Sequence, residues 1–286
     1  MASPHTVQVL ETTRATPAFD SPISTIEFSL PLTFFDTLFL KFGSIERIFF
    51  YQLNGSNPEY FNSVILPKLK RSLSLTLLQY FPLASNLRWP SNSPNPSLHT
   101  LLVMEFCSKL LSNEIHKALE LHFLEPQLMM TDNIATIIAL QITLFPSQGF
   151  CVGITTHHAI LDGKSITMFV KSWVYLCKKG NTKNSSLPPE LTLFYDRNVI
   201  KNPSGLDLVY LNQWLAFTSS DSDPNRRSLI ILQNIKDGPN DLLRPTFDLT
   251  HEHIKSLREK VLSKLDKAKP LHYQVLFVHL PMYPLV

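Results

Sequence analysis

Glycine is scarce in this sequence: 8 of 286 residues, where ordinary usage would give about 20. Loops that cradle phosphate need several residues free to adopt positive φ. Neither GxGxxG nor GxxxxGK followed by Ser or Thr occurs, so nucleotide folds of those two kinds are excluded. Cysteine is rarer still. Cys107, Cys151 and Cys177 are odd in number and form no CxxC, which argues against a disulfide framework or a structural zinc site and suits a reducing compartment. Each reads as a buried small hydrophobe. Long apolar runs are missing: Ile137–Leu140 and Thr143–Phe145 are far too short to span a bilayer. The N-terminal MASPHTVQVLETTRATPAF has no apolar core of signal-peptide length. A surplus of one charge is absent too, since 26 basic minus 23 acidic residues leaves +3, too little to argue for nucleic acid. The expectation is a soluble cytoplasmic protein with no nucleic-acid or membrane partner.

What is present is ordinary globular material: 44% hydrophobic, 10% aromatic and 17% charged. At about 150 residues per domain the length suggests two domains or one large one. Ile45–Leu53 is aromatic-rich and ends at Asn54-Gly55, a strand closed by a turn. Asn57-Pro58 then starts a helix, on which Phe61, Val64, Ile65, Leu69, Leu73 and Leu77 form one apolar face up to Phe81-Pro82. Arg88–Ser97 holds three prolines and reads as an irregular loop. Thr136–Phe145 and Phe150–Thr156 are two strands joined by a hairpin, apolar enough to be covered on both faces. A helix over 164–178 follows and stops at Gly180. Asn181–Glu190 is the best linker. Short strands at Ser228–Leu232 and Pro245–Leu249 lead to a helix capped by Thr250, with Ile254, Leu257, Val261 and Leu265 as its stripe. Strands alternating irregularly with helices indicate an α/β or α+β sandwich.

The sharpest local feature is HHAILDGKS at 157–165, between a buried strand and an amphipathic helix. Loops at strand ends are where scaffolds present reactive groups. An imidazole at His158 suits proton abstraction from a hydroxyl or amine. Asp162 either orients that imidazole or turns away to pair with a basic residue. By spacing alone, a strand-end histidine beside a helix-capping aspartate is the favoured reading, and a lone HxxxD is a weak signal. His157 and His158 are adjacent and point to opposite faces of an extended chain, which disfavours chelation, and no HExxH or GxSxG is present. A metal-dependent hydrolase using His157, His158 and Asp162 is the weakest reading.

The longer string GFCVGITTHHAILDGKS (Gly149–Ser165) resembles the HxxxDG region of the plant BAHD acyl-CoA-dependent acyltransferases, most of all the branch that acylates anthocyanins and phenolic glucosides. SLPLTFFDTLFL (Ser29–Leu40), ERIFFYQL (Glu46–Leu53), LPKLKRSLSLTLLQYFPLASNLRWP (Leu66–Pro90), ALQITLFP (Ala139–Pro146) and FYDRNVIKNPSGLDLVYLNQWL (Phe194–Leu215) agree with it. The similarity runs from about Val7 to Pro270. It implies an α/β fold, a chloramphenicol-acetyltransferase-like two-domain sandwich with a solvent channel between the domains. It implies that His158 is the general base, removing a proton from an acceptor hydroxyl that attacks the thioester of acyl-CoA. The acyl group would be malonyl or hydroxycinnamoyl and the acceptor a phenolic or flavonoid glucoside. Acyl-CoA is then a co-substrate, with no cofactor and no metal, and the protein is a monomer. Asp162 would be structural, directed toward an arginine, and Gly163 would let the chain turn into the helix. Thr33, Phe34 and Phe35 lie in a segment similar to one lining the acceptor side. Lys164 is near enough to the base to meet a malonyl carboxylate, and equally suits a solvated helical turn.

The sequence departs from that family in two motifs: DFGWG and YFGNC are both absent. Leu98–Leu111 is shorter than its counterpart and lacks an acidic strand, and HYQVLFVHLPMYPLV (His272–Val286) replaces the expected entry to a second domain. The expected organisation is an N-terminal domain over 1–180, a crossover linker over 181–215 and an incomplete second domain over 216–286. The expected arginine partner of Asp162 would then be missing, and the alternative reading is a truncated, inactive fragment or binding remnant with little turnover.

Overall fold

The computed structural model describes residues 7–18, 29–53, 57–91, 93, 95–100, 104–111, 121–180, 186–218, 227–232 and 250–264. The first described element is strand β1 (Val7–Ala15), followed by β2 (Ser29–Pro31). Thr33 and Asp36 form a reciprocal capping box that starts the short helix α1 (Phe34–Leu38). Strand β3 (Ile45–Gln52) follows, and the turn expected at Asn54-Gly55 lies outside the described residues. Asn57 caps the next helix by accepting from Tyr60 N at 2.6 Å, with Pro58 at its first position. That helix runs as α2 (Pro58–Tyr60), a π-helical turn at Phe61–Ile65, and α3 (Leu66–Gln79).

The π turn explains one departure from the expected apolar face. Phe61, Ile65, Leu69, Leu73 and Leu77 are buried, but Val64 is 44% exposed, because the wider turn rotates it outward. Burial of each of the leucines contributes roughly 2 kcal/mol. Strands β4 (Ser85–Arg88), β5 (Ser97–Thr100) and β6 (Met104–Leu111) come next, so the proline loop is narrower than expected and the segment after it is strand. Strands β7 (Ile134–Thr136), β8 (Ile138–Phe145) and β9 (Gly149–Thr156) precede α4 (Gly163–Lys179), and α5 (Leu206–Thr218) and α6 (His251–Lys264) complete the helices.

The strands form two sheets. One is mixed, in the order β1-β6-β8-β9-β3, with β6 and β8 parallel and the other pairs antiparallel. The other is antiparallel, in the order β2-β5-β4-β7. Every residue of β8 and β9 is buried, because both strands are interior to the sheet and covered on both faces. Helices α3 and α4 cover one face, where a small void among Phe49, Tyr51, Leu69, Val152, Ile154, Val170, Trp173 and Val174 marks their junction with the sheet. The Trp173 indole donates to Leu69 O at 3.1 Å and Ser72 Oγ at 3.0 Å, locking α4 to α3. Leu124, Phe145 and Cys151 pack on the opposite face. There Gly153 lies so close to the 121–124 turn that a Cβ would stand 1.9 Å from Leu124 O. Helix α4 stops at Gly180, whose φ of 73° suits glycine.

Residues up to Gln233 belong to one unit, which includes α5 packed on α1; the described residues 250–264 belong to a second. Ser228–Leu232 is extended but forms no strand. Its backbone is tied instead to loops, Leu229 N donating to Asp132 O at 3.0 Å and Leu232 N to Lys41 O at 3.1 Å. Pro245–Leu249 lies outside the described residues. In α6, Thr250 Oγ1 accepts from His253 N at 3.2 Å, while Leu257 of the expected apolar stripe is 51% exposed. Cys151 and Cys177 are buried as expected, but Cys107 is only half-buried.

Candidate functional site

The loop between β9 and α4 is fixed at its start by a backbone bond from His157 N to Ile137 O, 2.9 Å, and closes on itself as Ile160 N donates to His157 O at 3.0 Å. The two histidines part company at that point. His157 is fully buried; its Nδ1 accepts from Ala159 N at 3.3 Å, which places its proton on Nε2. Burial first, then the Lys41 ammonium and then His158, push the His157 imidazole down to about 4. It is a neutral core residue.

His158 is half-buried and lies against a wall of aromatic rings. Phe39 stacks on it with centroids 4.4 Å apart and planes at 3°. Phe42 meets it edge-on at 5.9 Å and 65°. Its Nδ1 is buried without a hydrogen-bond partner among the described residues. An imidazole stacked in one plane, with Nδ1 sequestered, is suited to exchange a single proton at a defined point.

Asp162 does not orient that imidazole. Its carboxylate accepts from Ser165 N at 2.7 Å as the N-cap of α4, on the exposed side of the loop. The basic group that it faces is Arg47 on β3, whose guanidinium is held down by burial and up by the Asp162 charge. Arg47 also donates to Thr167 Oγ1 at 3.2 Å. An arginine near Asp162 thus comes from the same unit. Gly163 has no positive φ, and a Cβ there would make an ordinary 3.5 Å contact with Arg47. The turn into α4 does not depend on glycine, contrary to the reading from sequence. Lys164 is exposed in the first turn of α4.

In the 29–40 segment, Thr33 caps α1 and Phe34 and Phe35 stack on each other at 4.1 Å. The rings that touch His158 are Phe39 and Phe42, three residues apart at the end of α1. That spacing is readable as one face of a turn, but nothing in it points to the histidine. A second residue missed from sequence is Lys41, 2% exposed. Its ammonium donates to Ser228 O, and to Ile230 O at 3.0 Å. Its signal was a lysine inside the apolar run LFLKFG. Asp36 pairs with Arg197 at 2.5 Å; burial raises its carboxyl, and Arg197 and the Thr33 hydrogen bonds oppose that rise. Among the described residues, no group of three His, Cys, Asp or Glu is placed to hold a metal ion.

A profile of the Transferase family matches residues 5–98 and 105–277. The chain belongs to this family, the BAHD acyltransferases. The BAHD sequence is 40% identical over 269 residues to phenolic glucoside malonyltransferase 1 of Arabidopsis thaliana, covering 89% of this chain and 56% of that one. It is 40% identical to an Arabidopsis malonyl-CoA:anthocyanidin 5-O-glucoside-6''-O-malonyltransferase, over 84% of this chain and 54% of the relative. Agmatine coumaroyltransferase, also from Arabidopsis, is 35% identical over 96% of this chain and 62% of its own length. The chain thus spans little more than half the length of the curated relatives it matches. Vinorine synthase shares the fold, with a TM-score of 0.50 at 20% identity over 67% of this chain and 46% of that one. No helix among the described residues is long and apolar enough to cross a membrane.

Proposed function

We propose that this BAHD chain serves acyl-CoA-dependent O-acyl transfer to a hydroxyl of a phenolic or flavonoid glucoside, with His158 as general base. The observation that carries the reading is the imidazole of His158, stacked on Phe39 with Nδ1 sequestered, in a chain 40% identical to two glucoside malonyltransferases. Nε2 takes the hydroxyl proton as the acceptor oxygen attacks the thioester carbonyl. The resulting oxyanion collapses, the carbon–sulfur bond breaks, and the imidazolium returns the proton to the CoA thiolate. Malonyl is the first donor to test, hydroxycinnamoyl the second. Asp162 acts on the loop rather than on substrate. In this reading 1–180 is the domain carrying the base, 181–215 the crossover and 216–286 the start of a second domain; the protein works in the cytoplasm as a monomer with no resident cofactor.

The test is release of CoA thiol from malonyl-CoA in the presence of a phenolic glucoside. It is run on the chain and on a chimera in which the remaining C-terminal residues of the Arabidopsis malonyltransferase follow it. His158→Ala is expected to lower kcat/KM about 10²- to 10⁴-fold. Turnover of the chimera that is indifferent to His158 contradicts the reading.

A further inference from the structure

The indole of Trp214, on α5, has no part in the site described so far. Its Nε1–H donates to Thr37 O at 3.1 Å and Leu38 O at 3.3 Å, carbonyls at the C-terminal end of α1, the first of which also accepts from Leu40 N at 3.2 Å. Its ring meets Phe42 edge to face at 5.9 Å and 89°. Phe42 in turn meets Phe39 at 5.1 Å and 63° and His158 at 5.9 Å and 65°. One side chain therefore holds both the backbone that precedes Phe39 and the ring of Phe42. Those two rings set the plane of the His158 imidazole. Such a ring is usually oriented by a hydrogen bond from its second nitrogen to a carbonyl or carboxylate. Here that nitrogen has no such partner among the described residues, and Asp162 is committed to Ser165 N. Orientation falls to packing, where edge-to-face and stacked rings at these separations are favourable.

The geometry points to Trp214 as a positioning residue for His158, acting through Phe42 and Phe39. Its consequence for turnover rests on the general-base reading, but its effect on the imidazole is measurable without any substrate. The full chain is labelled at histidine, and the His158 ring resonances are assigned by their loss in His158→Gln. In the unmodified protein the ring protons are expected upfield, shielded by the stacked Phe39. In Trp214→Leu they are expected to lose most of that shift, while the indole proton of Trp173, bonded to Leu69 O in the core, stays where it was. Trp214→Phe keeps an aromatic edge but loses both hydrogen bonds, and is expected to lose part of the shift. Should Trp214→Leu not fold, the partial loss expected in Trp214→Phe decides the matter, and Phe42→Leu, at a ring that is 37% exposed, checks the intermediary ring. His158 protons at their original positions in folded Trp214 variants overturn the proposal. The His158→Ala turnover assay addresses the base itself, so the two failures are distinguishable.

Discussion

His157 and His158 are neighbours in sequence with opposite fates, and burial separates them. A histidine held neutral in the core, with its pKa down at about 4, binds a proton less readily folded than unfolded, where the value is about 6.5. Its contribution is therefore fully present above pH about 6.5 and is lost as pH falls toward 4, on the order of 3 kcal/mol over the whole window. Urea unfolding midpoints between pH 7 and 4.5 are expected to fall in the unmodified protein and to fall less in His157→Asn. Equal pH dependence in both would remove His157 as the cause. Asp162 acts at the same scale through a different bond. Removal of the N-cap in Asp162→Ala is expected to cost about 1 kcal/mol, with Asp162→Asn near neutral because its amide oxygen accepts from Ser165 N equally well. Denaturant titration checks both. The role of Asp162 was legible as two alternatives, and only the fold shows which basic group, Arg47, lies on its far side.

At the scale of elements, the hairpin of β8 and β9 carries the site, and its position depends on close approach to the 121–124 turn. Gly153→Ala would place a methyl against Leu124 O and is expected to destabilise by about 1–3 kcal/mol, read as a lowered thermal midpoint. Gly180→Ala serves as comparison, because open space surrounds that position and its cost is backbone strain alone. Much of this layer was legible in sequence. The hairpin, α4 with its Asp162 start and Gly180 stop, and the Asn57-Pro58 helix start all rest on local signals: alternation, caps and turn residues. What was not legible depends on tertiary contact. Val64 fits an apolar helical face until a π turn rotates it away. Ser228–Leu232 has strand composition but finds Lys41 and loop carbonyls in place of a strand partner. Strands β1, β5 and β6 carry weak alternation of their own and exist because they pair with each other and with β2, β4 and β8.

For the whole molecule, two residues from the 197–214 stretch form a clamp on α1. Arg197 reaches Asp36, and Trp214 reaches the carbonyls at the other end of the same short helix. Five residues are too few for a stable isolated helix, so α1 and the two phenylalanines behind it owe their placement to this later part of the chain. The candidate base was legible from its motif. The aromatic wall around it was not, because Phe39, Phe42 and Trp214 are brought together only by the way α5 packs. The central claim is that His158 removes the acceptor proton, and the most direct measurement is CoA release from malonyl-CoA and a phenolic glucoside by the chimeric chain. A fall of at least about 100-fold in kcat/KM for His158→Ala, at an unchanged thermal midpoint, is the predicted result; equal rates for the two proteins would contradict it.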